Sequence, residues 1–260
     1  MGTEIEFNEQ KCIVAKRKIG NNATISRIWR QYFAPSNRIG NMTTLYRKLK
    51  PSDPTDFYNK YIDYAQKNRS SSIKNRGLTY NELVKLAEKY RELVEGKMGI
   101  TYDFETFFYD ALCHIILETW DGQQNERDFK AYLKALGYEC SEFKGSVDGE
   151  YGLDIKVTRN DGKISAIQIK PISFFVSWRD DVQLDRINFC RKYEKALNDL
   201  GIKTYYAIYV KDKKTDNVLW VKNGNMFRFR INELFDYDPE DIEGTFTRKK
   251  LPKIYEKLPI

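Results

Sequence analysis

The stretch Gly152–Lys170, GLDIKVTRNDGKISAIQIK, decides how this chain is read. Asn160-Asp161-Gly162 is a hairpin-turn signature, because these residue types tolerate the positive φ of a tight antiparallel turn. The flanking segments LDIKVTR and KISAIQIK alternate apolar and polar side chains and are rich in β-branched residues, so they are expected as paired strands. Pairing about that turn sets opposite each other residues whose numbers sum to about 322. Asp154 then lies across from Gln168, with Lys170 one side-chain repeat further along the same face.

An acid, an amide and a lysine converging on one sheet edge form a coherent phosphodiester-cleaving site. Asp154 would ligate Mg²⁺, the Gln168 amide oxygen and the Ile169 carbonyl would complete a shell of hard oxygens, and Lys170 would orient or deprotonate water and stabilise charge on the phosphate. A surface hairpin with alternating polar positions produces the same D…QxK spacing, so the surrounding sequence has to carry the assignment. Asp148, in SVDGEYG, is the alternative metal acid; the hairpin register favours Asp154.

Working outward, the texture after Gly137 is of short alternating segments, YECSEF, TYYAIYV, NVLWV and MFRFRI, with one amphipathic helix expected at about 181–200. Before Gly137 the pattern is helical. Helices are expected through DFYNKYIDYAQ, from the capping-box signature Thr79-x-x-Glu82 to about Gly96, over about 102–120, and over about 123–136. The order implies an α/β fold with a mixed sheet, preceded by a mostly helical N-terminal half. The expected division is 1–100 and 101–260, with the tail FTRKKLPKIYEKLPI loosely ordered.

Charge supports that division. The chain has 260 residues and a net charge of +7; residues 1–100 hold 19 Lys+Arg and 10 Asp+Glu, the remainder 25 and 27. From Gln10 to Ser52 there is no acidic residue, and Trp29, Tyr32, Phe33 and Tyr46 are interleaved with the basic ones. A polyanion is the natural partner, since each phosphate contact releases condensed counterions and Arg or Asn can bond base edges. The candidate DNA contacts are Arg27, Arg30, Arg38, Asn41, Arg47 and Lys48, then Lys74 and Arg76 in the loop RSSSIKNRG, and Arg179 after the candidate strand.

Other classes are excluded by what the sequence lacks. One histidine, His114, in the apolar run ALCHIIL, and four cysteines with no C-x-x-C leave no zinc ribbon, Ser-His-Asp triad or His-metal nuclease; His114 is expected in the core and the cysteines reduced. No G-x-x-x-x-G-K-[ST] and no G-x-G-x-x-G follows a strand. No run approaches the ~18–20 apolar residues of a membrane helix, and MGTEIEFNEQ lacks the order of a secretory signal, so a cytoplasmic location is expected.

The helix-to-strand passage ERDFKAYLKALGY from Glu126, then GLDI and a hairpin ending in IQIK, then the 181–200 helix and TYYAIYV, resembles the PD-(D/E)XK nuclease superfamily over roughly residues 123–222. The likeness is in particular to restriction endonucleases in which Gln replaces the second acid. The resemblance implies that superfamily's mixed-sheet core, Mg²⁺ as cofactor, and catalytic positions at Asp154, Gln168 and Lys170, with Glu126 as the supporting helical acid. Glu150 and Glu105 are weaker substitutes for Glu126. No Pro precedes Asp154, and Gln168 brings no charge, so metal affinity would lean on Asp154 and the scissile phosphate. RGLTYNEL (76–83) and IQIKPISF (167–174) also look like the MjaI-type group of type II restriction enzymes, which implies a palindromic CTAG-like target.

The expected function is therefore that of a type II restriction endonuclease, hydrolysing double-stranded DNA with Mg²⁺ and acting as a homodimer on a two-fold site. A structure-specific nuclease for junctions or repair intermediates is the alternative on the same core. A non-catalytic DNA-binding protein is the alternative of another class.

Overall fold

The computed structural model describes residues 22–34, 39, 41–68, 78–143, 146–159, 161–176, 180–212, 215, 217–236 and 247–260. The chain divides into two compact units, Met1–Gln124 and Asn125–Ile260.

The first unit is helical, and each helix starts where a side chain can satisfy free amides. Asn22 caps α1 (Ala23–Ile28), which continues as a π-type turn, Trp29–Phe33. Asn41 caps α2 (Met42–Leu49), and Asp53, followed by Pro54, caps α3 (Pro54–Lys67). The expected capping box of Thr79 and Glu82 opens α4 (Tyr80–Met98), which runs past Gly96 and stops at Gly99, where φ is +65°. Trp29, Phe33, Tyr46, Phe57, Leu83 and Tyr90 pack together with residues 107–117 of the next helix. Three of the four aromatics read as interleaved with a nucleic-acid surface are therefore core: Trp29, Phe33 and Tyr46 are buried, because helical spacing turns them inward while Arg27 and Arg30 face out, and Tyr32 is half-buried against the same cluster.

One long helix, α5 (Phe104–Ala135), replaces the two expected on either side of Asp121-Gly122. A glycine inside a helix costs about 1 kcal/mol relative to alanine, too little to break a segment anchored by buried residues on both sides. His114 is 3 % exposed with its ring 4.2 Å from that of Trp29, the core histidine expected. Cys113 is disulfide-bonded, contrary to the expectation of reduced cysteines, which rests on spacing and chain size; Cys140 and Cys190 are free thiols.

The second unit is built on a mixed sheet. Its elements are β1 (Glu139–Glu142), α6 (Ser146–Tyr151), β2 (Ile155–Thr158), β3 (Ile164–Pro171), α7 (Ile172–Val176), α8 (Asp180–Leu200), β4 (Lys203–Lys211), β5 (Val218–Val221) and β6 (Phe229–Arg230). Beyond them lie α9 (Ile231–Leu234), β7 (Phe235–Asp236), β8 (Thr247–Arg248) and β9 (Tyr255–Glu256). The strand order is β1-β2-β3-β4-β5-β9, with β6 also on β4 and a separate β7–β8 pair. Neighbours are antiparallel except β3 and β4, which are parallel across the α8 crossover. The tail is not loose: β9 pairs with β5, and Lys222 Nζ holds Glu256 at 2.8 Å.

Central β3 is buried from Ser165 to Ile169 because both its faces are covered. Phe129, Tyr132 and Leu133 of α5 pack on the odd-numbered face, against Ile155, Val157, Ile167 and Ile169. On the even-numbered face, Ala196 of α8 meets Ala166, while Cys190 joins Phe175, Tyr206 and Ile208. Helices α6 and α7 are too short to show a helical period and were not expected from the sequence. Among the described residues no helix is long and apolar enough to cross a membrane.

Candidate active site

The hairpin forms with the expected register. Ile155 pairs with Ile167 and Thr158 with Ile164, each pair summing to 322. Asp154, one residue before β2, thus stands across from Gln168, and the two touch: Gln168 Nε2 donates to Asp154 Oδ2 at 2.7 Å. The Ile169 backbone N–H donates to the same oxygen at 2.8 Å. Lys170 follows on the same even-numbered face, half-buried, with Nζ 5.8 Å from the centroid of the Phe174 ring. Acid and amide are brought into contact at the end of the β2–β3 pair, and Lys170 stands two residues further along the same strand face.

Two features make this contact more than a polar link between strands. Gln168 is 3 % exposed, and its Oε1 finds no hydrogen-bond partner among the described residues. A buried acceptor left unpaired costs about 1–3 kcal/mol, so the oxygen is a place where a cation or a donor would be welcome. Beside it the chain turns through Gly152, at φ +64°, where a Cβ would stand 3.7 Å from Gln168 Oε1 and 3.7 Å from Lys192 Nζ. Glycine thus serves the left-handed turn and leaves open the space between amide oxygen and ammonium. Lys192, on α8, is the site residue that the sequence reading missed; an amphipathic helix pattern gives a lysine no mark of what its head group approaches.

The donors on hand are hard oxygens: the Asp154 carboxylate, Gln168 Oε1 and the Ile169 carbonyl. The last lies on the Asp154 side, since a strand residue's N–H and C=O face the same edge and this N–H bonds Asp154. Such a set fits Mg²⁺ rather than a soft metal. Among the described residues no three His, Cys, Asp or Glu side chains gather into a metal-holding group.

Glu126 is half-buried on α5, three and seven residues before Phe129 and Leu133, and so on the helix that covers the odd-numbered face. Glu150 is ion-paired with Lys195 of α8, and Glu105 is exposed in the first turn of α5. The side chain of Asp148 lies outside the described residues. Of the candidate DNA contacts, Arg27, Arg30 and Lys48 are exposed and Arg47 is half-buried. Asn41 is exposed but its side-chain oxygen caps α2, accepting from Thr44 N–H at 3.0 Å. Arg38, Lys74, Arg76 and Arg179 lie outside the described residues. Comparison with protein-family models, with curated proteins and with solved structures yields no match.

Proposed function

We propose that this protein is a Mg²⁺-dependent endodeoxyribonuclease of restriction type, hydrolysing phosphodiester bonds of double-stranded DNA at a specific sequence. The observation that carries the reading is the direct contact of Asp154 with Gln168, which leaves a buried, unpaired amide oxygen next to the carboxylate, with Lys170 and Lys192 nearby. The order of the second unit, helix, three antiparallel strands, helix, parallel strand, supports it as well, being the order the PD-(D/E)XK resemblance implies.

Asp154, Gln168 Oε1 and the Ile169 carbonyl would hold Mg²⁺, which when bound supplies polarisation of a phosphoryl oxygen and a more acidic water. The chain's own residues do the rest. Lys170 orients the attacking water and takes up or screens the charge that develops on the phosphate. Lys192 adds a second ammonium for a non-bridging phosphate oxygen. Because Gln168 is neutral, the site repels a phosphodiester less than a pair of acids would. Exposed Arg27, Arg30 and Lys48 in the first unit contribute phosphate grip.

The test is incubation of the protein with unmethylated phage-length DNA and, in parallel, with a four-way junction, in Mg²⁺ or in EDTA. Discrete fragments from linear DNA in Mg²⁺ alone are expected, and their ends would give the recognised sequence. Cutting confined to the junction would move the assignment to a structure-specific nuclease. Retardation without cutting of either substrate would make the protein a DNA binder, with Asp154 and Gln168 a structural tie between strands.

A further inference from the structure

A feature of the second unit not used above is a cavity of about 900 Å³ at the other end of the sheet. It opens where β2 ends and where β3 and β4 begin, and Ser165 lines it. Lys170 is five residues further along β3, roughly 17 Å away at the rise of a strand. The volume falls within the range of small-molecule sites.

Its lining is built for an anion with an apolar body. Arg159, Lys203, Arg228 and Arg230 stand against two carboxylates, Asp161 and Glu194. Asp161 Oδ1 lies 3.8 Å from Arg159 Nε. Arg228 is held ready, its guanidinium 5.5 Å from the ring centroids of both Tyr138 and Tyr205, with an amino group donating to Tyr138 Oη at 3.4 Å. A guanidinium fixed in this way loses little freedom when it takes a phosphate.

Val157, Leu197 and Ile231 line the same space, together with Tyr193. A bare phosphate has no use for such a surface, whereas a planar ring stacks on tyrosine and buries against aliphatic side chains. Burial, foremost, raises the Tyr193 phenol above its ordinary value, so it stays protonated and uncharged at neutral pH.

We propose that this cavity binds a nucleotide, its phosphate on Arg228, Arg230 and Lys203, and its base against Tyr193. The proposal does not rest on the nuclease reading and stands or falls separately from it.

The test is isothermal titration calorimetry of the full chain, without DNA or Mg²⁺, against AMP, GMP, CMP and UMP, with adenosine and inorganic phosphate as controls. At least one nucleotide is expected to bind at least about tenfold more tightly than phosphate or adenosine. Arg230→Gln, an exposed position, and Arg228→Gln should each weaken it by about tenfold or more, as expected for loss of a charge-assisted bond. Lys170→Ala should leave nucleotide affinity unchanged. The proposal is overturned if no nucleotide outbinds phosphate, if both arginine variants bind as wild type does, or if Lys170→Ala abolishes binding.

Discussion

Gln168 offers its amide N–H to Asp154 at 2.7 Å, so the charge state of one position governs the other. Gln168→Glu is nearly isosteric, but it sets a carboxylate against a carboxylate in a site that is 3 % exposed. Without metal, the variant should lose about 1–3 kcal/mol, the cost of exchanging a hydrogen bond for unpaired, repelling acceptors. Mg²⁺ should then recover that loss, because a cation bound only by the folded chain stabilises it by mass action. Thermal melts of wild type and variant in Mg²⁺ and in EDTA read this directly; a variant melting temperature indifferent to Mg²⁺ would contradict the oxygen-shell assignment. The Asp154–Gln168 contact was legible in the sequence because a two-residue period and one turn, Asn160-Asp161-Gly162, leave a single register that buries Ile155, Val157 and Ile167. Lys192 was not legible, since its approach depends on how α8 packs across β3, a tertiary fact without local signature.

At the level of elements, α5 and the capped helices of the first unit carry two further expectations. Gly122 has nothing within 4 Å of where a Cβ would stand, and it lies inside a continuous helix. Gly122→Ala should therefore stabilise the protein by about 0.5–1 kcal/mol, through lower entropy of the unfolded chain, measured as a higher urea midpoint. At the start of the same helix, Asp103 accepts from Thr106 N–H at 2.9 Å, and that backbone bond, with the Thr106 hydroxyl after it, holds the carboxyl below its ordinary value near 3.8. A carboxyl whose folded pKa is depressed adds stability above its unfolded pKa and loses it as pH falls through the folded value. Asp103→Asn keeps a capping oxygen without the charge, so its urea midpoint should fall less than that of wild type between pH 6 and pH 3. An equal fall in both would contradict the assignment. The capping box at Thr79 and Glu82 was readable because both partners are three residues apart on the chain. The union of two expected helices into α5 was not, because Asp121-Gly122 is a local weakness that buried neighbours on either side override.

For the whole molecule, the decisive asymmetry is of charge: 19 Lys+Arg to 10 Asp+Glu in the first hundred residues, against 25 to 27 in the rest. That imbalance was plain in composition, whereas the division of labour among the basic residues was not. Trp29, Phe33 and Tyr46 went to the core and Asn41 to a helix cap, and only folding separates those roles from the outward Arg27, Arg30 and Lys48. If the basic surface grips phosphate while the β2–β3 hairpin cuts, binding and cleavage are separable. The most direct test is therefore to measure both on one duplex, for wild type and Lys170→Ala, in Mg²⁺ for cleavage and in Ca²⁺ for equilibrium binding over a salt series. The account predicts that Lys170→Ala abolishes Mg²⁺-dependent cutting while its affinity stays within about threefold of wild type and falls as steeply with salt. Cutting undiminished by Lys170→Ala, or no cutting by wild type in any divalent cation, would contradict it.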